Sequence, residues 1–268
     1  MEPIGTDRPV TFGVVTPTLN AERYLEETLI SIWNQRGDGI DVDHVMVDGE
    51  STDRTVEIAS RYPTRIVVAK DGGMYEALNR GFDIVGGEII GYMNADDEVA
   101  PGAFALLAET FRTKPDVQWL CGTVVYTNGS SEVVSKMTPV RFGLRSYVGL
   151  GWSCVPQQTV WMRRSFYDQV GPFDTTFKNC GDYDWYARAF KLSPPLFMQE
   201  TLGRFRQHGA NLSWDPGPMM RESRMVQQRY GGLGVVSYLM GKSLSLRLNA
   251  RNPQWFYAKK SGRLKFSA

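Results

Sequence analysis

The chain has 268 residues, 42% of them hydrophobic and 22% charged, with a formal net charge of +1. That is enough to bury a substantial core and reads as a globular protein, either one large domain or a domain with an appendage. Its three cysteines, Cys121, Cys154 and Cys180, are far apart, with no CxxC pair and only His44 and His208 to assist them, which argues against a disulfide framework or a zinc site. The N-terminus, MEPIGTDRPV, lacks the basic start and apolar core of a secretory signal. A reducing, cytoplasmic location is the expectation.

From Val10 to about Cys121 short apolar runs alternate with stretches of helical spacing. VTFGVVT, VDHVMVD, TRIVVAK, EIIGYMN and VQWLCG are the expected strands; AERYLEETLISIWNQ, DRTVEIASRY, GMYEALNRGFDIV and PGAFALLAETFRT are the expected helices. This alternation implies right-handed crossovers and a mainly parallel, Rossmann-like α/β sheet with helices on both faces. Ligands of such sheets bind beyond the carboxyl ends of the strands. Pro17-Thr18-Leu19-Asn20, Asp48-Gly49-Glu50-Ser51, Lys70-Asp71-Gly72-Gly73 and Asn94-Ala95-Asp96-Asp97 all follow apolar runs and therefore fall on that edge.

After Gly122 the alternation breaks down. VVYTNGSSEVV reads as a hairpin turning at Asn128-Gly129, CGDYDWYARAFK as a helix, and PPLFMQETLGRFRQHG as a further strand. From Arg221 to the end there are ten basic residues against one acid, Glu222, so a basic tail follows an acidic body. The tail suggests an anionic surface as partner, and its uncharged run GGLGVVSYLMG is too short to span a bilayer though able to lie in the interface.

In GYMNADDE, adjacent carboxylates repel one another unless a cation lies between them. The first turn, TPTLNAERY, has no glycine fingerprint for a pyrophosphate, and the chain has no GxxxxGK[ST] loop for a triphosphate. If this edge binds a nucleotide diphosphate, a divalent metal at Asp96 and Asp97 would meet its charge, as magnesium and manganese favour carboxylates together with phosphate oxygens.

These stretches, taken in order, resemble the family 2 glycosyltransferases of the GT-A fold. VTPTLNAERYLEETLISIWNQ is similar to the opening strand and helix of that family, VMVDGESTDRT to its second strand and acidic loop, DGGMYEALNRGFDIVGGEIIGYMNADDEVAPGA to the central motif ending in DxD, and QQTVWMRRSFYDQVGPFDTTFKNCGDYDWYARAF to the acceptor-side segment. The resemblance covers roughly residues 10 to 210 and implies a GT-A domain over 1–215, with a nucleotide-binding half (about 10–122), an acceptor half (about 123–215) and a basic helical extension over 216–268. It implies that Pro17, Thr18 and Asn20 line the base and ribose, that Asp48 bonds the base, and that Asp71 and Asn79 lie near the diphosphate and sugar. Asn94, Asp96 and Asp97 would occupy the DxD region, with Ala95 beside the bound nucleotide and Asp96 and Asp97 nearest a Mn2+ or Mg2+ ion, and Asp182 would be the base toward the acceptor. Apart from the resemblance, His208 in RFRQHGANLS is a further candidate ligand of that ion. Three positions depart from the family pattern: Asn94 at the first DxD position, Gly49-Glu50 after Asp48, and Gly181 where many relatives have Glu.

The expected reaction is inverting transfer of a sugar from a nucleotide diphosphate, uridine being the commonest base in the family, to an acceptor hydroxyl. The basic tail suggests a lipid-linked acceptor, as in bacterial surface polysaccharide or glycolipid synthesis, with peripheral contact to the inner face of the membrane. Nucleic acid is not an expected partner, since no recognised module accompanies the tail. Two rivals are weaker. A metal-dependent nucleotidyltransferase would carry a glycine-rich basic loop early in the chain, and a non-catalytic nucleotide-sugar-binding module would not need Asp182. Some of these residues also have purely structural readings: Asp96 or Asp97 at a helix N-terminus, Asp184 paired with Arg188 four residues on, Trp152 and Trp185 in the core, and His208 as a satisfied structural histidine.

Overall fold

The computed structural model describes residues 8–37, 39–209, 211, 216–262 and 264. Its central strand is β1 (Val10–Thr18), whose apolar residues are almost all buried. β1 pairs in parallel with β2 (Ile40–Asp48) on one side and β4 (Ile89–Tyr92) on the other, and β2 pairs in parallel with β3 (Arg65–Val68). The register aligns Thr18 with Asp48 and Asp48 with Val68. The loops after β1, β2, β3 and β4 therefore open at one edge, as the alternation of apolar runs predicts.

Alternate side chains of β1 feed different cores because successive strand residues point to opposite faces. Phe12 and Val14 join Phe104, Leu107 and Phe111 of α4 (Ala103–Thr113), with the Phe12 and Phe104 rings stacked at 4.1 Å. Val15 joins Tyr75, Leu78 and Phe82 of α3 (Met74–Ile84). A third cluster packs α1 (Leu25–Trp33) and α2 (Thr55–Ala59) around Met46. Helix α1 starts later than the run AERYLEETLISIWNQ predicts: Tyr24, at φ −128° and ψ −10°, stands outside helical geometry just before Leu25, and the amides of Ala21 and Glu22 donate to Thr55 and Asp53 across the edge.

Beyond β4 the sheet becomes mixed, in the order β3-β2-β1-β4-β8-β6-β9-β5. Strand β8 (Trp161–Arg163) is antiparallel to β4 and to β6 (Trp119–Asn128), β9 (Leu196–Gln207) runs parallel to β6, and β5 (Glu98–Val99) is antiparallel to β9. The hairpin expected at Asn128-Gly129 forms between β6 and β7 (Val133–Met137). Helices α5 (Leu144–Leu150), α6 (Arg164–Val170) and α7 (Gly181–Leu192) cover this half, and α8 (Pro216–Arg229), α9 (Val235–Arg251) and α10 (Pro253–Lys260) follow.

These last helices are more than a loose appendage. Val226, Leu244, Leu248 and Trp255 belong to the same core as Trp119, Trp185 and Tyr186. Trp185 is wholly buried, which agrees with its structural reading.

Candidate active site

The first two loops of the edge are laced by side chains. Asn20, in the left-handed region at φ 49°, accepts from the Thr52 amide at 2.9 Å, and its own amide donates to Ser51 Oγ at 2.8 Å. Asp48 is fully buried, and its carboxylate accepts from Thr18 Oγ1 at 2.9 Å, from Ser51 Oγ at 2.6 Å and from the Ser51 amide at 2.8 Å. Pro17 is half-buried beside this lacing, and Asn20 is exposed. Asp48, the residue expected to bond the base, joins the first and second loops through these bonds.

The third loop contains Asp71, whose Oδ1 accepts from Arg80 and whose buried Oδ2 has no partner in the protein. A buried carboxylate oxygen without a donor is uncommon and calls for a reason. Asn79, expected near the diphosphate, instead exchanges two hydrogen bonds with the backbone of Phe173, at 2.9 and 2.8 Å. Its amide has one acceptor and one donor group engaged, so its contribution is to hold the loop before α7 against α3.

The fourth loop separates the two acids. Asp96 is half-buried, and its Oδ2 lies 2.9 Å from His208 Nε2 and 3.2 Å from Asn211 Nδ2. Asp97 turns inward and is fully buried. Its Oδ1 accepts from the Arg206 amide at 3.0 Å, and its Oδ2 from Gln158 at 2.8 Å and Asn94 at 3.3 Å. Burial, then the neighbouring Asp96, push the Asp97 carboxyl well above the usual carboxylate range.

Of the two acids expected at the metal, Asp96 is thus bonded to His208 and Asn211, while Asp97 is enclosed by donors from Arg206, Gln158 and Asn94. Among the described residues there is no group of three or more His, Cys, Asp or Glu side chains able to hold a metal. Asp96 and His208 do offer one carboxylate oxygen and one imidazole nitrogen side by side. Such a partial set suits magnesium or manganese, which take few protein ligands and complete their shell with phosphate oxygens and water. Asn94 bridges Asp97 to Gln157, and its own Oδ1 is buried without a partner; Ala95 is half-buried between Asn94 and Asp96.

Asp182 lies near the start of α7, half-buried, with both of its hydrogen bonds on Oδ1: from the Tyr183 amide at 2.7 Å and from Tyr75 Oη at 3.3 Å. Burial raises its carboxyl from 3.8 to about 6, against the lowering effect of those two bonds. The loop before it is tied to the third loop, since Lys178 Nζ donates to the Gly72 carbonyl at 2.7 Å. Tyr92, at the end of β4, senses both acids: its hydroxyl is pushed well up, first by burial and then by Tyr186, Asp182, Tyr75 and Asp97. The departure at Gly181 has a steric reason, as a Cβ there would lie 2.8 Å from the Tyr75 ring.

Sequence reasoning missed three supports. Glu222 of α8 accepts the amides of Lys178, Asn179 and Cys180 at 2.8 to 3.0 Å, fixing the turn that leads into Asp182. Arg206, fully buried, bonds Glu98, Glu27, Ser131 and the Asp96 carbonyl, and so ties β9 to the fourth loop. Asn211 accepts the His208 amide at 3.0 Å while donating to Asp96. The prediction of Asp184 paired with Arg188 is met at 3.0 Å, and Arg229 joins the pair at 2.7 Å.

The chain is similar to several known glycosyltransferases. The chain is 27% identical over 209 residues to a PGL/p-HBAD biosynthesis glycosyltransferase of Mycobacterium bovis, covering 74% of this chain and 77% of that one. It is 26% identical over 245 residues to an uncharacterized glycosyltransferase of Mycobacterium tuberculosis, covering 87% and 91%. Among solved structures, S. aureus TarS 1-349 in complex with UDP-GlcNAc superposes with a TM-score of 0.63 at 16% identity, covering 87% of this chain and 70% of that one. The chain spans 42% of the longer TarS structure. Mannosyltransferase PcManGT from Pyrobaculum calidifontis, in complex with GDP-Man and Mn2+, gives 0.55 at 17% identity, covering 98% and 82%. At these identities the structural likeness speaks for the fold, a GT-A-type α/β domain. The sequence profile named glycosyl transferase family 2 matches residues 13–171, more than half of the chain, and the chain belongs to that family.

Proposed function

We propose that the protein transfers a sugar, with inversion, from a nucleoside diphosphate donor to an acceptor hydroxyl. The observation that carries this reading is Asp182: a half-buried carboxylate raised to about 6, tied through Tyr75 and Lys178 to the edge that holds Asp71 and Asp96. A sugar hydroxyl is a weak nucleophile near neutral pH, and a carboxylate with a pKa near 6 is ionised there while still basic enough to take its proton. The acceptor oxygen attacks the anomeric carbon, and its proton passes to Asp182 Oδ2. The bond from that carbon to the diphosphate breaks on the opposite face, and the electron pair leaves with the phosphate oxygen.

Pro17, Thr18 and Asn20 line the base and ribose end in this reading, on a wall held by Asp48. Asp71 offers its free Oδ2 to the donor sugar, and Asn79 keeps the neighbouring loop in place. Asn94 and Ala95 shape the floor under the diphosphate. Asp96 and His208 would hold a Mn2+ or Mg2+ ion, which when bound supplies Lewis-acid stabilisation of the leaving diphosphate; Asp97 supports that turn from below. Uridine is the base put forward first, supported by the UDP-GlcNAc complex of TarS. The acceptor put forward is a glycolipid or surface-polymer hydroxyl, supported by the names of the mycobacterial relative and of a Bacillus subtilis minor teichoic acid biosynthesis protein, which is 35% identical over 99 residues and of which the chain covers 11%.

A ligand that binds only the folded state raises its apparent stability. Melting the protein with UDP, GDP, dTDP and CMP, each with manganese and with chelator, is expected to show stabilisation by one nucleoside diphosphate that chelator removes. No shift with any of them would overturn the donor-site reading.

A further inference from the structure

Helix α9 carries apolar side chains on two opposite sides. One side is buried at Ser237, Gly241, Leu244 and Leu248. It fits α5 so closely that a Cβ on Gly149 would come within 1.7 Å of the Ser237 carbonyl oxygen. At 3.6 residues per turn the other side is lined by Val235, Leu239 and Leu246, and these are 75%, 60% and 71% exposed. Val236 and Tyr238, also exposed, stand on either side of this ridge. Scattered single apolar residues on a surface need no explanation, but among the described residues nine of the seventeen exposed large hydrophobics fall between 233 and 257, and such a concentration marks an interaction site.

The charge around the ridge selects the partner. By helical angle Lys242 stands on one flank of the ridge and Arg247 on the other, with Arg247 also donating to the Arg141 carbonyl at 2.9 Å; Arg251 lies toward the buried side, where it donates to Gln199. From Ser223 to the end of the chain there are nine basic residues and no acid. A second copy docked through the same ridge would bring two such surfaces face to face, like charge against like. An anionic surface with an apolar interior complements both features at once. Among the described residues no helix is long and apolar enough to cross a membrane, so α9 would lie in the plane of the headgroups.

We propose that the outward ridge of α9 docks on an anionic lipid bilayer, with Val235, Leu239 and Leu246 entering the headgroup boundary and Lys242 and Arg247 on its flanks pairing with lipid phosphates. The same helices support the base. The Tyr147 ring of α5 meets Tyr183 edge-on at 4.8 Å, Tyr183 Oη donates to the Tyr147 and Val148 carbonyls, and Tyr183 follows Asp182. Docking through α9 would hold the domain that carries Asp182 at the bilayer surface, where a lipid-borne acceptor is presented. That last consequence, a lipid-borne acceptor, rests on the glycosyl-transfer reading; the docking itself does not.

The test is sedimentation of the whole protein with vesicles of phosphatidylcholine containing phosphatidylglycerol, and with phosphatidylcholine alone, at low and high salt. Binding is expected on the anionic vesicles and is expected to weaken with salt. The double variant Leu239→Asp/Leu246→Asp is expected to bind at least about tenfold more weakly, and Lys242→Glu/Arg247→Glu to lose the salt-sensitive part. Both variants should keep the wild-type melting temperature and its shift with nucleoside diphosphate. Absence of wild-type binding to anionic vesicles, or equal binding by the Leu239→Asp/Leu246→Asp variant, would overturn the proposal. So would a ridge whose substitution changes only the oligomeric state in light scattering. Docking without any nucleotide shift would instead overturn the transfer reading and leave the docking intact.

Discussion

Asp182 combines two properties that pull in opposite directions. Burial raises its carboxyl from 3.8 to about 6, so the native protein holds the proton more tightly than the unfolded chain does. The stability that comes with the neutral form is fully present below about pH 4 and is lost as pH rises toward 6. Asp182→Asn removes the buried charge. Above pH 6 that variant is expected to be more stable than the wild type, by up to the order of 3 kcal/mol, with the advantage gone below about pH 4; urea denaturation at several pH values checks this. A base that destabilises the fold at working pH is the pattern expected when a carboxylate is kept for chemistry. Asp97 shows what residue-level reading leaves out. Asp96 and Asp97 are equivalent in the sequence GYMNADDE, and only the path of the turn decides that one meets His208 and the other meets Gln158 and the Arg206 amide.

At the scale of elements, the parallel half was legible because each strand there is an apolar run and each helix has its own spacing. The mixed half was less so: TVWMRRSFYDQVGPFD divides into β8 and α6, and a three-residue strand has too little periodicity to announce itself. Long-range supports left no local signal. Glu222 lies 44 residues from Lys178, yet its carboxylate collects the three amides that precede α7. It also contributes, after burial, to the raised carboxyl of Asp182. Glu222→Gln removes that negative charge, so the acid limb of the pH–rate profile is expected to move to lower pH, while Glu222→Ala should lower kcat by releasing the turn. A role confined to holding α8 in place would change stability and leave the acid limb where it is in the wild type.

At the scale of the whole molecule, the carboxyl edge of the parallel strands, the α7 turn and the C-terminal helices form one continuous structure. Residues from Val15 to Leu264 share the largest core, so the basic C-terminal segment is built into the body of the domain. Its charge and the uncharged run GGLGVVSYLMG were legible in the sequence; which side of α9 is exposed was not, because α9 is apolar on its buried side as well, and the two sides blur in the sequence. The central claim, that this edge and Asp182 together carry out glycosyl transfer, is tested most directly by release of nucleoside diphosphate from a panel of nucleotide sugars with mixed glycolipid and glycoside acceptors, comparing wild type with Asp182→Asn. The account predicts acceptor-dependent release from one donor by the wild type and a loss of about 10²- to 10⁴-fold in the variant, which still shows the nucleotide-dependent thermal shift. Equal release by the two proteins would contradict it.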